Sequence, residues 1–240
     1  MPNFIYLETV DSTNNYAVNL LKTSDVENGT TIITKKQSSG KGQRGNLWES
    51  EDDRNLILSL ILFPQLKIKD AFYLTIASSL AVHKTLSHHL NSVKIKWPND
   101  VLVGTKKIAG ILIENQIKRE LISSSVIGIG LNVNQDYFNP ELNATSMKAE
   151  LHQDFNLEEL LNELYTNLDF YFNLLMENNF KTLLSRYYEN LFQFKTLAKF
   201  EDDSGEFTGI IQGIDETGKL IVLRNQIPTS YDLKEIKQLR

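Results

Sequence analysis

Residues 93–115 read VKIKWPNDVLVGTKKIAGILIEN. Val93, Ile95 and Trp97 alternate with lysines, the period of a strand with one buried face. Pro98 fixes its own backbone and restricts Trp97, so Trp97-Pro98-Asn99-Asp100 is a tight turn presenting an amide and a carboxylate at the strand end. Residues 101–103 and 108–115 form a hairpin around Gly104-Thr105, and residues 121–133 supply a further strand. Within this sheet Gly110, three residues after Lys107, leaves room for a ligand against the strand.

Upstream, residues 4–9 read as a short strand, and Asp11-Ser12-Thr13 offers N-cap oxygens ahead of a helix through about residue 21. Residues 30–37 are a β-branched strand, 56–63 a buried strand and 70–90 a long helix. Downstream, Leu157, Leu160, Leu161, Leu164, Leu168, Phe172, Leu175 and Met176 recur at helical spacing, which predicts one or two amphipathic helices over 157–191. The aromatic residues there read as core. From Lys195 onward LAKF, EFTGIIQGI, KLIVL and EIKQL are short strands, separated by the turn sequences DDSG and DETG. The predicted class is α+β: a mixed sheet with packed helices over residues 1–193 and a small β-barrel over residues 194–240.

The chain has 240 residues, 41% hydrophobic and 23% charged, the balance of a globular protein able to bury a core. Cysteine is absent, which excludes disulfides and thiolate chemistry. The opening MPNFIYLETV lacks a basic segment followed by an apolar one, so no signal peptide is expected. No apolar run approaches the ~20 residues that span a bilayer. A net charge of −5 argues against general nucleic-acid binding. Lys35, Lys36, Lys41 and Arg44 fall within residues 35–48 without an acid, and Lys94, Lys96, Lys106 and Lys107 fall within 93–107 beside Asp100 alone. Two basic segments in an acidic chain point to a local anionic ligand.

The first basic segment ends in QSSGKGQRGNLW, residues 37–48. Gly40, Gly42 and Gly45 let backbone N–H groups approach a ligand and line an anion-binding concavity, with Trp48 as a stacking face. It is not a P-loop, which would need Gly at 35 and Ser or Thr at 42, nor a dinucleotide fingerprint. GIGLNVN, residues 128–134, is an apolar strand carrying Asn132 as a turn residue or a pocket contact. His83, His88, His89 and His152 form no metal-binding spacing.

Taken in order, these segments resemble the biotin–protein ligase family. Asp11-Ser12-Thr13-Asn14 matches its DSTN motif, residues 40–48 its glycine-rich G-R-G-R-x-G-x-x-W, and residues 96–100 its K-W-P-N-D. Residues 107–114 match K-x-A-G-I-L-x-E, residues 128–132 G-x-G-x-N, and Ala144-Thr145-Ser146 a later A-T-S element. The resemblance runs from about residue 4 to residue 146 and more loosely through the carboxy-terminal strands, where the family carries an SH3-like β-barrel. The chain departs from the arginine-rich loop at Lys41, Gln43 and Asn46.

The resemblance implies an ATP-dependent ligase that makes biotinyl-5'-AMP, with Mg²⁺ required, and passes biotin to a lysine of a biotin carboxyl carrier protein in the cytoplasm. It implies biotin contacts from Ser12, Thr13, Asn14, Gln37, Gly40, Lys41, Gly42, Gln43, Lys107 and Gly110. It implies nucleotide contacts from Arg44, Trp48, Asn99, Asp100, Lys107 and Asn132, with Lys107 and Arg44 catalytic and Asp100 toward the metal. The ligase pattern begins within the first dozen residues, so no DNA-binding module is expected; neither is a membrane contact, and a homodimer is left open. A lipoate or octanoyl ligase or transferase of related fold is the nearest alternative, followed by a biotin-sensing repressor and a non-catalytic biotin binder.

Overall fold

The computed structural model describes residues 3–239, and the side chain of Arg44 lies outside the described part. In chain order the elements are β1 (Phe4–Val10), α1 (Thr13–Thr23), β2 (Thr31–Gln37), β3 (Leu56–Leu62), β4 (Leu66–Lys67), α2 (Phe72–Ser87), β5 (Val93–Lys96), β6 (Asp100–Val103), β7 (Lys106–Lys118) and β8 (Leu121–Leu131). There follow α3 (Met147–Leu151), α4 (Leu157–Met176), α5 (Phe180–Asn190), β9 (Leu197–Asp202), β10 (Gly205–Ile214), β11 (Leu220–Arg224), β12 (Ile227–Tyr231) and β13 (Lys237–Gln238). The class is α+β, as the sequence predicts.

The main sheet runs β1-β2-β3-β8-β7-β6-β5, with β4 added to β8. Only β1 and β2 pair in parallel; the neighbours on this path from β2 to β5 are antiparallel. Every residue of β3, LILSLIL, is buried, because helices cover both faces of the sheet at its centre. Leu58 and Leu60 point to the large core, where α2 contributes Leu74, Ala77 and Leu80 and α4 contributes Leu161, Leu164 and Leu168. Ile61 points to the opposite face, packing with Ile32, Val126 and Ala17 of α1. Ser59 shares that second face by the two-residue period of a strand, beneath the start of α1.

The helical stretch 157–191 divides in two. Asn156 caps α4 through the Glu158 and Glu159 amides at 2.9 and 3.3 Å, and Asn178 at φ +57° breaks the chain before α5. The carboxy-terminal strands form a five-stranded antiparallel sheet ordered β12-β11-β10-β9-β13. Its outer strands β12 and β13 do not pair, so the closed barrel expected from the sequence is not seen; the sheet is an open path. Pro228 explains why β12 escapes notice in the sequence: a residue without an N–H is tolerated there only because the strand is an edge.

The second sheet and the segment leading into it grip the β5 end of the first. The Trp97 indole donates to the Gly218 carbonyl at 2.9 Å, Lys96 Nζ donates to the Gln238 carbonyl at 3.1 Å, and the Phe192 amide donates to the Ile95 carbonyl at 2.7 Å. Among the described residues no helix is long and apolar enough to cross a membrane.

Candidate functional site

A narrow cleft with about 40 Å³ of free space opens on the α1 face of the sheet. Ser12, Thr13, Asn14, Gln37, Lys41, Gly42, Gln43, Trp48, Asn99, Lys107 and Gly110 line it, joined by Gly128 and Gly130 of β8. Of the residues singled out in the sequence, these eleven from Ser12 to Gly110 come together. Gly40, Asp100 and Asn132 stand behind the lining, and the Arg44 side chain lies outside the described residues.

At one end, Ser12 occupies the N-cap of α1 as expected, but its hydroxyl makes no capping bond. Gln37, at the end of β2, accepts from the Thr13 amide instead, at 2.8 Å. That frees the Ser12 hydroxyl and turns the Gln37 carboxamide nitrogen toward Gly40, where a Cβ would stand 2.8 Å from it. Ser59, unmarked in the sequence, and Glu114, the last residue of the 107–114 motif but given no role there, complete this end. The Ser59 hydroxyl lies 2.6 Å from Asn14 Oδ1 and 2.8 Å from Thr13 Oγ1, and Asn14 Nδ2 donates to Glu114 at 2.8 Å. Gly128 makes the fit possible, since a Cβ there would come within 2.3 Å of Asn14 Oδ1.

At the other end, residues 40–48 fold back as a small hairpin. The Trp48 amide donates to the Gly40 carbonyl at 2.9 Å and the Gly42 amide to the Asn46 carbonyl at 2.8 Å, across a 3-10 turn over Gln43–Gly45. These two N–H groups are therefore spent within the loop. The glycines answer to the loop's own geometry: Gly45 sits at φ +83°, and a Cβ on Gly40 would be 2.4 Å from the Trp48 carbonyl. The hairpin lays the Trp48 indole on Gly130 and Gly110, whose absent Cβ atoms would be 2.3 and 3.1 Å from the ring, and leaves its buried Nε1 without a partner.

Lys107 lies between the two ends. Its Nζ is 2.6 Å from Asp100 Oδ1 and 5.5 Å from the Trp48 ring centre. Residues 107 and 110 should face opposite sides of a regular strand. A bulge in the β6–β7 pairing between Val101 and Leu102 brings them together, so that a Cβ on Gly110 would be 3.1 Å from Lys107 Nζ. Gly110 thus makes room for Lys107 and Trp48 rather than for open space. The Ala144-Thr145-Ser146 element pins the lysine's backbone: its amide donates to the Asn143 carbonyl and its carbonyl accepts from the Thr145 amide, both at 2.9 Å.

Asn99 is tethered to β7, donating to the Ile111 carbonyl at 2.6 Å and accepting from the Ile111 amide at 3.0 Å. Asn132 is buried and donates to the Thr145 carbonyl at 3.0 Å, leaving its Oδ1 unpartnered. Most of the two basic segments serve other ends: Lys35 pairs with Glu8, Lys36 with Asp52 and Lys106 with Glu150, while Lys94 and Lys96 bond backbone carbonyls. Lys41 and Lys107 are the described lysines that line the cleft. Among the described residues no group of three or more His, Asp or Glu is gathered for a metal ion.

A model of the biotin/lipoate A/B protein ligase family matches residues 6–132, and one of the biotin protein ligase C terminal domain matches residues 199–229. The bifunctional ligase/repressor BirA of Bacillus subtilis is 28% identical over 229 residues, covering 93% of this chain and 70% of its own. The biotin–[acetyl-CoA-carboxylase] ligase of Paracoccus denitrificans is 29% identical over 231 residues, covering 90% and 92%. The solved structure of the biotin protein ligase from Aquifex aeolicus in complex with biotin and ATP superposes with a TM-score of 0.82 at 26% identity, over 100% of both chains.

Proposed function

The chain belongs to the biotin/lipoate A/B protein ligase family, and from that premise we propose that the cleft activates biotin with ATP and delivers it to a protein lysine. The protein is a biotin–protein ligase. The observation that carries the reading is one cleft with a neutral hydrogen-bonding end, Ser12, Thr13 and Gln37, and a cationic end at Lys107. Biotin has the same polarity, a neutral cyclic urea at one end and a carboxylate at the other. Lipoate has no urea to satisfy the first end.

In this reading Ser12, Thr13, Asn14 and Gln37 receive the ureido ring, and Gly40, Lys41, Gly42 and Gln43 cover the valeryl chain and carboxylate. Lys107, lying over Gly110, bridges that carboxylate and the α-phosphate of ATP. Trp48, Arg44, Asn99, Asp100 and Asn132 serve the nucleotide. A biotin carboxylate oxygen attacks the α-phosphorus while the bond to pyrophosphate breaks. Two anions must meet, and a cation at ~4 Å offsets roughly 4 kcal/mol of such repulsion at an effective dielectric near 20. Asp100 holds Lys107 in place beforehand, so the barrier falls through positioning and fixed charge. A carrier lysine then attacks the acyl carbon, AMP leaves with the bonding electrons, and the new amide nitrogen gives up a proton.

Mg²⁺, bound with the nucleotide, would neutralise phosphate charge; a hard cation held by one or two carboxylates plus phosphate oxygens suits Asp100 beside Lys107. The carboxy-terminal module in this reading is the open five-stranded antiparallel sheet that rests on the Trp97 turn. The acceptor is a biotin carboxyl carrier protein, the compartment is the cytoplasm, and DNA is not a ligand, in keeping with the net charge of −5. The test is labelling of a biotin-carrier domain with biotin and ATP, each omitted in turn, and with lipoate in place of biotin. Label that depends on both supports the reading; no label, or equal label with lipoate, overturns it.

A further inference from the structure

Glu114 stands at the far end of a chain of hydrogen bonds whose directions are fixed by chemistry. A carboxylate only accepts, so the Asn14 amide nitrogen must face it, as it does at 2.8 Å. Asn14 Oδ1 therefore faces Ser59, whose single hydroxyl hydrogen is committed to it at 2.6 Å. Ser59 then has none left for Thr13 Oγ1 at 2.8 Å, and the Thr13 hydroxyl donates inward, to Ser59 or to Gln37 Oε1 at 3.2 Å. Its oxygen lone pairs remain for the cleft. Gln37 Oε1 is held by the Thr13 amide at 2.8 Å, which leaves the Gln37 nitrogen as the donor. Ser59 is fully buried and Asn14 nearly so, so water does not scramble the directions.

We propose that Glu114 is a positioning residue that sets the direction of this array, so that the neutral end of the cleft presents the Thr13 oxygen as an acceptor to a ring N–H and rejects a ring that lacks that hydrogen. The inference rests on the biotin reading above and deepens it. Glu114 acts through Asn14, Ser59 and Thr13 and does not touch the ligand. In Glu114→Gln the side chain can donate as well as accept. Asn14 can then present either end to Ser59, held to its present sense by the 3.5 Å contact of its nitrogen with the Leu112 carbonyl alone, and the array loses most of its fixed direction.

The experiment compares binding of biotin and of a derivative methylated on a ureido nitrogen, which removes the ring hydrogen that the Thr13 oxygen would accept. The parent is expected to prefer biotin strongly. In Glu114→Gln that preference should fall about tenfold, with the biotin KM raised, kcat for adenylation kept and the melting temperature little changed. Ser59→Ala, which removes the committed donor from the middle of the chain, should reduce the preference similarly and stands in if the glutamine variant does not fold. An unchanged preference in the folded variant overturns the inference, even if its stability falls. A parent that binds neither compound overturns the biotin reading and this inference with it.

Discussion

The wall of the cleft carried by α1 is locked to three strands, whereas the wall carried by residues 40–48 is bonded mainly to itself. Thr13 and Asn14 reach Gln37 on β2, Ser59 on β3 and Glu114 on β7, all in or beside the protein interior. The glycine-rich hairpin closes on its own carbonyls and meets the rest of the cleft through Lys41, which bonds Asn15, and through Trp48 resting on two glycines. The first wall can recognise a shape in advance, because its donors and acceptors are already oriented. The second can adapt to what lies against it, because an unpartnered Trp48 Nε1 and a self-contained hairpin oppose movement weakly. Lys107 stands where the two meet.

The largest effect is expected there. Lys107→Gln removes the cation and leaves Asp100 facing the phosphates, so adenylate formation should slow by about ten- to a hundredfold, from a charge-assisted bond of roughly 1.5–3 kcal/mol. Stability should hold, and single-turnover adenylation is the measurement. An unchanged rate removes Lys107 from the reaction.

The two glycines of β8 probe the contrast between the walls directly. Gly128→Ala pushes a methyl group into Asn14 at 2.3 Å, and Asn14 has nowhere to go. It should cost about 1–3 kcal/mol of stability and most of the biotin affinity. Gly130→Ala meets the Trp48 ring at the same 2.3 Å, but the hairpin can yield. The expected cost is below about 1 kcal/mol, with a red shift of Trp48 fluorescence as the indole leaves its pocket. Equal destabilisation by the two substitutions would show the loop wall to be as rigid as the helix wall.

A pH-dependent effect, remote from the cleft, lies beneath the sheet. His83 on α2, half-buried and bonded to the Val93 carbonyl at 3.2 Å, has its pKa pushed down from 6.5 to about 4, chiefly by burial. The folded protein therefore binds this proton less readily than the unfolded chain. The stabilisation is complete above pH 6.5 and is lost as pH falls toward 4, amounting to about 2 kcal/mol at pH 5. Urea titrations at pH 7.5 and 5 should show a shallower loss in His83→Gln than in the parent. Equal losses would mean that the imidazole titrates normally. Because the group is remote from the cleft, biotin affinity measured at the two pH values should not follow it.

Much of the fold is legible from local pattern. The strand and hairpin of residues 93–115 follow from alternation and from Pro98 and Gly104. The full burial of β3 follows from its unbroken apolar run, and the helices of residues 157–191 from leucine spacing. Short elements without a periodic signature, β4, α3 and the proline-bearing β12, are not legible, because pairing partners rather than their own residues hold them. At the site, the sequence marks the glycines correctly but not what they make room for. Gly110 and Gly130 accommodate Lys107 and Trp48, and the Gly42 and Trp48 amides bond within the loop.

The sequence by itself determined the α+β class, the order of the ligand-facing segments and the family they match, since each rests on residue type at short spacing. Only the tertiary structure decided which charges face the cleft and which polar groups are oriented in advance. Eight basic residues crowd two segments, yet ion pairs with Glu8, Asp52 and Glu150 draw Lys35, Lys36 and Lys106 away from it. Ser59 is a lone hydroxyl in an apolar strand, and Glu114 stands 100 positions from Asn14. Nothing local distinguishes Ser59, and the 107–114 motif that ends at Glu114 does not show what that carboxylate faces. Sheet register sets them beside α1, and register is fixed by burying both faces of the central strands at once.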